Sequence, residues 1–173
     1  EFFFQRGQEL QSRGDFDSAI THFIKAVELN GGNPSYFYHL AYCLQEVAPE
    51  AGADENVYQD RAMGNYRKVL DIDPRHHESW YNLGYIQEER GDLEDAVESF
   101  KKSLEIVPKD KDALVNLGNC YMALLEYDSS IATYVEAISL EPECVLAHYN
   151  LASAHHSASI AIAESPSKTR HVQ

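Results

Sequence analysis

The chain is short of several things, and each shortage excludes a class of protein. Basic side chains number 14 against 28 acidic ones in 173 residues, a net charge of −14. Nucleic acid and anionic membrane surfaces are polyanions, so neither is expected as a main partner. No apolar run approaches the roughly 18–20 residues that span a bilayer, so membrane insertion is not expected. Glu1–Phe4 is apolar in part but far too short for a signal peptide. Only three cysteines occur, Cys43, Cys120 and Cys144. They make no paired framework and point to a reducing, cytoplasmic compartment. Cys43 and Cys120 read as small buried packing residues.

Catalytic signatures are missing as well. There is no CxxC, no HExxH, no phosphate-cradling glycine loop and no GxSxG elbow. His76-His77 and His155-His156 are adjacent pairs, and helix neighbours diverge by about 100°, so they rarely chelate together. No metal and no cofactor is expected. Without a nucleophile–base or metal constellation, the chain is not expected to be an enzyme. The remaining composition, 44% hydrophobic and 24% charged, is ordinary for a folded protein.

What is present is a repeat. Residues 77–110, HESWYNLGYIQEERGDLEDAVESFKKSLEIVPKD, form one helix–turn–helix unit. Counting His77 as unit position 1, Trp80, Leu83, Gly84 and Gln87 fall on one helical face. Gly91 suits a left-handed helix end, and Asp92 an N-cap with Glu94 and Asp95 in the first turn. Ala96, Phe100 and Leu104 stripe the second helix, and Pro108 ends it. Small residues at Gly84 and Ala96 predict two helices packed about 8–10 Å apart.

The unit recurs with the same spacing. Residues 1–33 keep Gly7, Gly14, Ala19, Phe23 and Ala26. Residues 34–76 keep Leu40, Ala41, Ala62, Tyr66 and Pro74, with nine extra residues. The excess lies in Glu46–Asp60, where Pro49 and Gly52 forbid a continuous helix and Asp54 or Asn56 could cap an early second helix. This stretch is a tolerated loop or a second contact surface at the groove edge. Residues 111–144 keep Leu117, Gly118, Ser130, Tyr134, Ala137 and Pro142, and a half-repeat begins at residue 145. The repeats span residues 1–156; residues 157–173 read as a capping helix extension followed by a polar tail. A start without Met, inside a helical pattern, allows the chain to be a piece of a longer polypeptide.

Trp80, Leu83, Gly84, Gly91, Ala96, Phe100 and Pro108 fall on the signature positions of the tetratricopeptide repeat, and the chain resembles that family. Gln87 departs, since an aromatic is usual there. The resemblance implies an all-α fold, a right-handed α-solenoid, whose first helices line a concave groove. It places unit positions 2, 5, 6, 9, 12 and 13 in that groove. Position 5 includes Tyr38 and Tyr81; position 6 includes His39, Asn82, Asn116 and Asn150; position 9 includes Tyr42, Tyr85 and Asn119. Glu78, Glu88 and Glu89 add negative charge, and no Lys or Arg falls on any of these positions.

Amides both donate and accept hydrogen bonds, so a spaced row of Asn suits the backbone of an extended peptide. Tyrosines beside it offer rigid area with a polar tip. The Asn row is similar to that of the repeat arm of the O-linked N-acetylglucosamine transferases, where it holds substrate backbone. The alternative is structural: the Asn side chains bond neighbouring helices, and the aromatics wedge between repeats. Chaperone-binding members of the family clamp a carboxylate with Lys and Arg; an acidic groove repels one. A basic or neutral protein or peptide is therefore expected as the partner, bound by a non-catalytic scaffold. Two other readings are a substrate-recruiting arm of a larger enzyme and a structural subunit held in a multiprotein assembly.

Overall fold

In a computed structural model, residues 1–47 and 55–164 are described. Among them there are nine α-helices and no strand: α1 (Phe2–Ser12), α2 (Phe16–Leu29), α3 (Pro34–Glu46), α4 (Glu55–Ile72), α5 (His77–Arg90), α6 (Leu93–Ile106), α7 (Lys111–Ala123), α8 (Tyr127–Leu140) and α9 (Val145–Glu164). Each packs on the next, and α1 touches α3, α5 touches α7, and α7 touches α9. The fold is an all-α solenoid in which the first helices of successive hairpins form a layer of their own.

Short side chains set the starts of the first helices. Asn33 accepts from the Ser35 amide at 3.0 Å, with Pro34 in the first turn. Asp110 accepts from the Asp112 and Ala113 amides at 3.0 and 3.1 Å. His76 Nδ1 does the same for the Ser79 amide at 3.3 Å. Each satisfies an N–H that the helix cannot. Asp92 stands at the N-cap of α6 but makes no side-chain cap bond; its carboxylate lies 3.7 Å from Arg90 Nε instead. Gly14 and Gly91, both at unit position 15, take left-handed φ values of 76° and 80° and let the first helix end. In the fourth repeat that position is Leu125, and it is left-handed too, with φ 62°.

The core is one contact made four times. At unit position 24 an aromatic ring is wholly buried in each hairpin: Phe23, Tyr66, Phe100 and Tyr134. Burying such a ring stabilises by about 1.5–3 kcal/mol. It lies where the first helix carries a small residue at position 8. A Cβ added to Gly7 would come 2.6 Å from the Phe23 ring, on Gly118 2.5 Å from Tyr134, and on Gly84 3.1 Å from Phe100. Ala41, fully buried, takes this place in the second hairpin. The ring therefore rests on the backbone of its partner helix. Cys43 and Cys120 are buried and free, and burial pushes both thiols up to about 12. Neither is a thiolate at neutral pH.

Departures from the repeat pattern, Ser130 for Ala and Gln87 for an aromatic, also fit. Ser130, wholly buried, donates to the Gly118 carbonyl at 3.0 Å. Gln87 is buried against Ser99, 2.6 Å from its hydroxyl. With its amide nitrogen facing inward, Gln87 also donates to the Leu83 and Asp95 carbonyls at 3.2 Å. A polar side chain thus replaces the usual aromatic without leaving its polar atoms unpaired.

The long second repeat resolves in part. Helix α4 has 18 residues where α2, α6 and α8 have 14, so four residues of the excess form an added first turn. Asn56 falls inside that helix rather than capping it. Pro49, Gly52 and Asp54 lie outside the described residues. Helix α4 is tied to the third repeat just after the added turn, because Asp60 pairs with Arg90 at the end of α5. At the other end, α9 continues through residues 157–164, and residues 165–173 lie outside the described residues.

Two substitutions test this packing by chemical denaturation. Gly118→Ala forces a methyl into the buried Tyr134 ring and is expected to destabilise by about 1–3 kcal/mol, outweighing the better helix propensity of Ala. Leu125→Gly removes an exposed side chain from a left-handed position and is expected to stabilise by about 1 kcal/mol. A stable Gly118→Ala protein would refute the ring-on-backbone contact.

Candidate peptide-binding face

The first helices present the tyrosines, amides and carboxylates named by the repeat pattern. Tyr38, Tyr42, His39, Tyr81, Asn82, Asn116, Asn119 and Asn150 are all half-buried, and Tyr85 is 37% exposed. Glu78 and Glu89 are exposed, and Glu88 is half-buried.

The position-6 side chains each reach back one repeat. His39 Nδ1 lies 2.8 Å from Gln11 Oε1. Asn116 Nδ2 donates to the Tyr81 hydroxyl at 3.1 Å. Asn82, at the same position, faces the Tyr38 and Tyr66 phenols and acts to lower both. The fourth repeat has Val115 at position 5, which offers no hydroxyl. There Asn150 Nδ2 donates instead to Asn119 Oδ1 at 2.9 Å. Asn119 Oδ1 also accepts from the Tyr134 hydroxyl at 2.7 Å, and the Asn119 amide acts to lower the Glu88 carboxyl. A register of polar bonds therefore links repeat to repeat along the face. An amide that gives its N–H to a neighbour still has acceptor lone pairs to offer.

The four tyrosines divide into two kinds. Those at position 5 pack on the buried ring of their own hairpin: Tyr38 on Tyr66 at 6.0 Å and Tyr81 edge-on to Phe100 at 5.8 Å. Phe4 repeats this on Phe23 at 5.8 Å. Those at position 9, Tyr42 and Tyr85, stand outside every core cluster of the described residues. The Glu89 carboxylate raises the Tyr85 phenol above the ordinary range. Burial raises Tyr38 and Tyr81, and the charges of Glu78 and Asp112 respectively add to it. All four hydroxyls are protonated at neutral pH. Burial also raises the Glu88 carboxyl, against the lowering effect of Asn119.

Two hollows open on this face. One of about 230 Å³ is lined by Tyr38, Tyr42 and Tyr81 with Glu78, Asp110 and Asp112. The other, about 390 Å³, lies between Asn119 and Asn150. Among the described residues no group of His, Cys, Asp or Glu is placed to hold a metal ion, and no helix is long and apolar enough to cross a membrane.

One regularity was not read from the sequence. Trp80 Nε1 donates to the Pro74 carbonyl at 3.0 Å, and His148 Nε2 lies 2.8 Å from the Pro142 carbonyl. Both stand at unit position 4, six residues after the proline that ends the preceding hairpin. A ring N–H at that spacing from a proline was the available signal.

Asn119 Oδ1 joins Tyr134 of its own repeat to Asn150 of the next. Asn119→Ala leaves the buried Tyr134 hydroxyl without its acceptor and frees Asn150. We expect a loss of about 2 kcal/mol in urea denaturation, against less than half of that for Asn116→Ala, whose partner Tyr81 is nearer to water. Equal small losses would mean that the junction contributes nothing.

Models of the tetratricopeptide repeat match residues 4–65, 77–110 and 111–144. Protein bimA of Emericella nidulans is 29% identical over 92 residues, 53% of this chain and 10% of that protein. The small glutamine-rich tetratricopeptide repeat-containing protein 2 of Mycosarcoma maydis is 27% identical over 93 residues, 54% of this chain and 24% of that protein. The matched part thus covers a quarter or less of these relatives. Among solved structures, a crystal structure of MamA protein superposes with a TM-score of 0.82 at 20% identity, covering 94% of this chain and 84% of that one. That likeness concerns the fold. Sequence models and architecture agree: the chain belongs to the tetratricopeptide repeat family, a family of protein-interaction scaffolds.

Proposed function

We propose that the chain holds a peptide segment or helix of a partner protein against its first helices, in the concave groove of the solenoid. The observation that carries this reading is the pair Tyr42 and Tyr85. Both are aromatic, both lie on the groove layer, and neither belongs to the core. Large side chains that do not stabilise the fold are the usual material of binding anchors. The amides of Asn82, Asn116 and Asn150 supply backbone hydrogen bonds, and His39 and the Nδ2 group of Asn119, whose oxygen is already taken, extend the row. Glu78, Glu88 and Glu89 favour Lys- or Arg-bearing partners and disfavour acidic ones.

A second reading, a structural subunit held in a multiprotein assembly, is favoured by a different observation. Leu125, Val145 and Ile162, at the last hairpin and α9, are 68%, 80% and 76% exposed. In this reading groove substitutions are nearly silent, and Val145→Ser/Ile162→Ser abolishes assembly.

An arrayed library of peptides with varied net charge tests the leading reading. Basic or neutral peptides are expected to bind, more tightly as salt is lowered. Tyr42→Ala/Tyr85→Ala is expected to weaken them about tenfold or more while the thermal unfolding stays unchanged. Enrichment of acidic peptides, or full binding by the double variant, would overturn it.

A further inference from the structure

The hollow between α3, α5 and the start of α7 has a composition unlike the rest of the face. Three tyrosines from two repeats, Tyr38, Tyr42 and Tyr81, line it together with Glu78, Asp110 and Asp112. No Lys or Arg is among the residues that line it. At about 230 Å³ it is large enough for one long side chain and too small for a folded element. Its carboxylates come from three places: the first turn of α5, the cap of α7 and the first turn of α7. They surround the space without converging on a point, since no metal-holding group occurs among the described residues.

Each carboxylate keeps acceptor capacity. Glu78 lies 3.3 Å from His77 Nε2 and 3.5 Å from His76 Nδ1, and remains exposed. One oxygen of Asp110 takes two backbone N–H groups. Asp112 is 3.4 Å from Lys111, but that ammonium lies closer to Glu141, at 2.8 Å. A carboxylate has about four acceptor sites, so these contacts leave most of them open. The charges also act on the aromatic wall: Glu78 helps to raise the Tyr38 phenol, and Asp110 and Asp112 help to raise that of Tyr81, beyond what burial does to each. The Asn82 amide lines the same hollow.

We propose that this hollow is a side-chain pocket for an arginine of the bound peptide, its guanidinium against the tyrosine rings and its N–H groups on Glu78, Asp112 and Asp110. The chemistry distinguishes arginine from lysine. A guanidinium is planar, stacks on aromatic faces and carries five donors in a fixed fork. Acceptors spread around an aromatic-walled space match that fork; a compact ammonium with three donors reaches fewer of them. The pocket deepens the groove reading and rests on it, since it supplies one specificity element of a peptide held there.

The probe is Nα-acetyl-arginine amide, titrated into the ¹⁵N-labelled chain and followed by amide chemical shifts. The neutral citrulline analogue and Nα-acetyl-lysine amide are the controls. Saturable shifts are expected at Glu78, Tyr81, Asn82 and Asp112, with lysine weaker by about threefold or more and citrulline silent. Glu78→Gln/Asp112→Asn changes two exposed side chains, and is expected to weaken the arginine probe about tenfold with an unchanged helical spectrum. Equal shifts from citrulline, a lysine preference, shifts elsewhere only, or a variant that binds as well as the original chain would each overturn the pocket. If the probe is silent while arrayed peptides still bind through Tyr42 and Tyr85, the pocket fails and the groove reading stands. If the probe binds here and no arrayed peptide does, the groove reading fails and the pocket stands.

Discussion

The stack depends on a ring lying on bare backbone. Phe23, Tyr66, Phe100 and Tyr134 are all wholly buried, and in three hairpins the opposing residue is glycine. Without a Cβ there, the second helix comes close enough for its ring to fill the space between helices. This closeness fixes what the other residues can do. Position-5 aromatics gain a ring to pack on. Position-6 side chains come within hydrogen-bond reach of the preceding repeat. Each repeat therefore contacts its neighbours through the same few positions, and stability accumulates as a sum of hairpins and nearest-neighbour interfaces.

The same geometry makes stability and recognition share side chains. Asn116 and Asn150 each give one N–H to a neighbour, which leaves a second N–H and the oxygen of each to offer outward. Such a row can receive the N–H groups of a peptide and still donate to its carbonyls. Tyr38 and Tyr81 are likewise half committed to the core, whereas Tyr42 and Tyr85 are not. A partner bound on this face would therefore read a mixture: amides, two phenols outside the core clusters and several carboxylates. The excess of acidic residues gives that face its sign.

Much of the fold was legible because a repeat reports itself. Gly84, Ala96, Phe100 and Pro108 fixed the hairpin, and Gly91 its left-handed turn, since each residue type answers one steric requirement. What the pattern hid were the exceptions. Leu125 sits in a left-handed position that composition assigns to glycine, because hairpin closure imposes it. The early start of α4 was legible in outline, since Asp54 or Asn56 could cap it, but the residue at which the helix begins was not. Most importantly, spacing puts an Asn on a face but does not say where its amide points. The bonds of Asn116 to Tyr81 and of Asn150 to Asn119 depend on whether position 5 holds Tyr or Val, a pairing between repeats that a single unit does not display.

The central claim is that partners meet the first helices. Photo-crosslinking tests it directly, with benzoylphenylalanine placed at Tyr85 on α5 or at Val135 on α8, which is 51% exposed. The chain carrying a probe at Tyr85 is predicted to cross-link a peptide selected from the array, and the chain carrying it at Val135 is not. Cross-linking from Val135 alone would place the binding surface on the second helices and contradict the account.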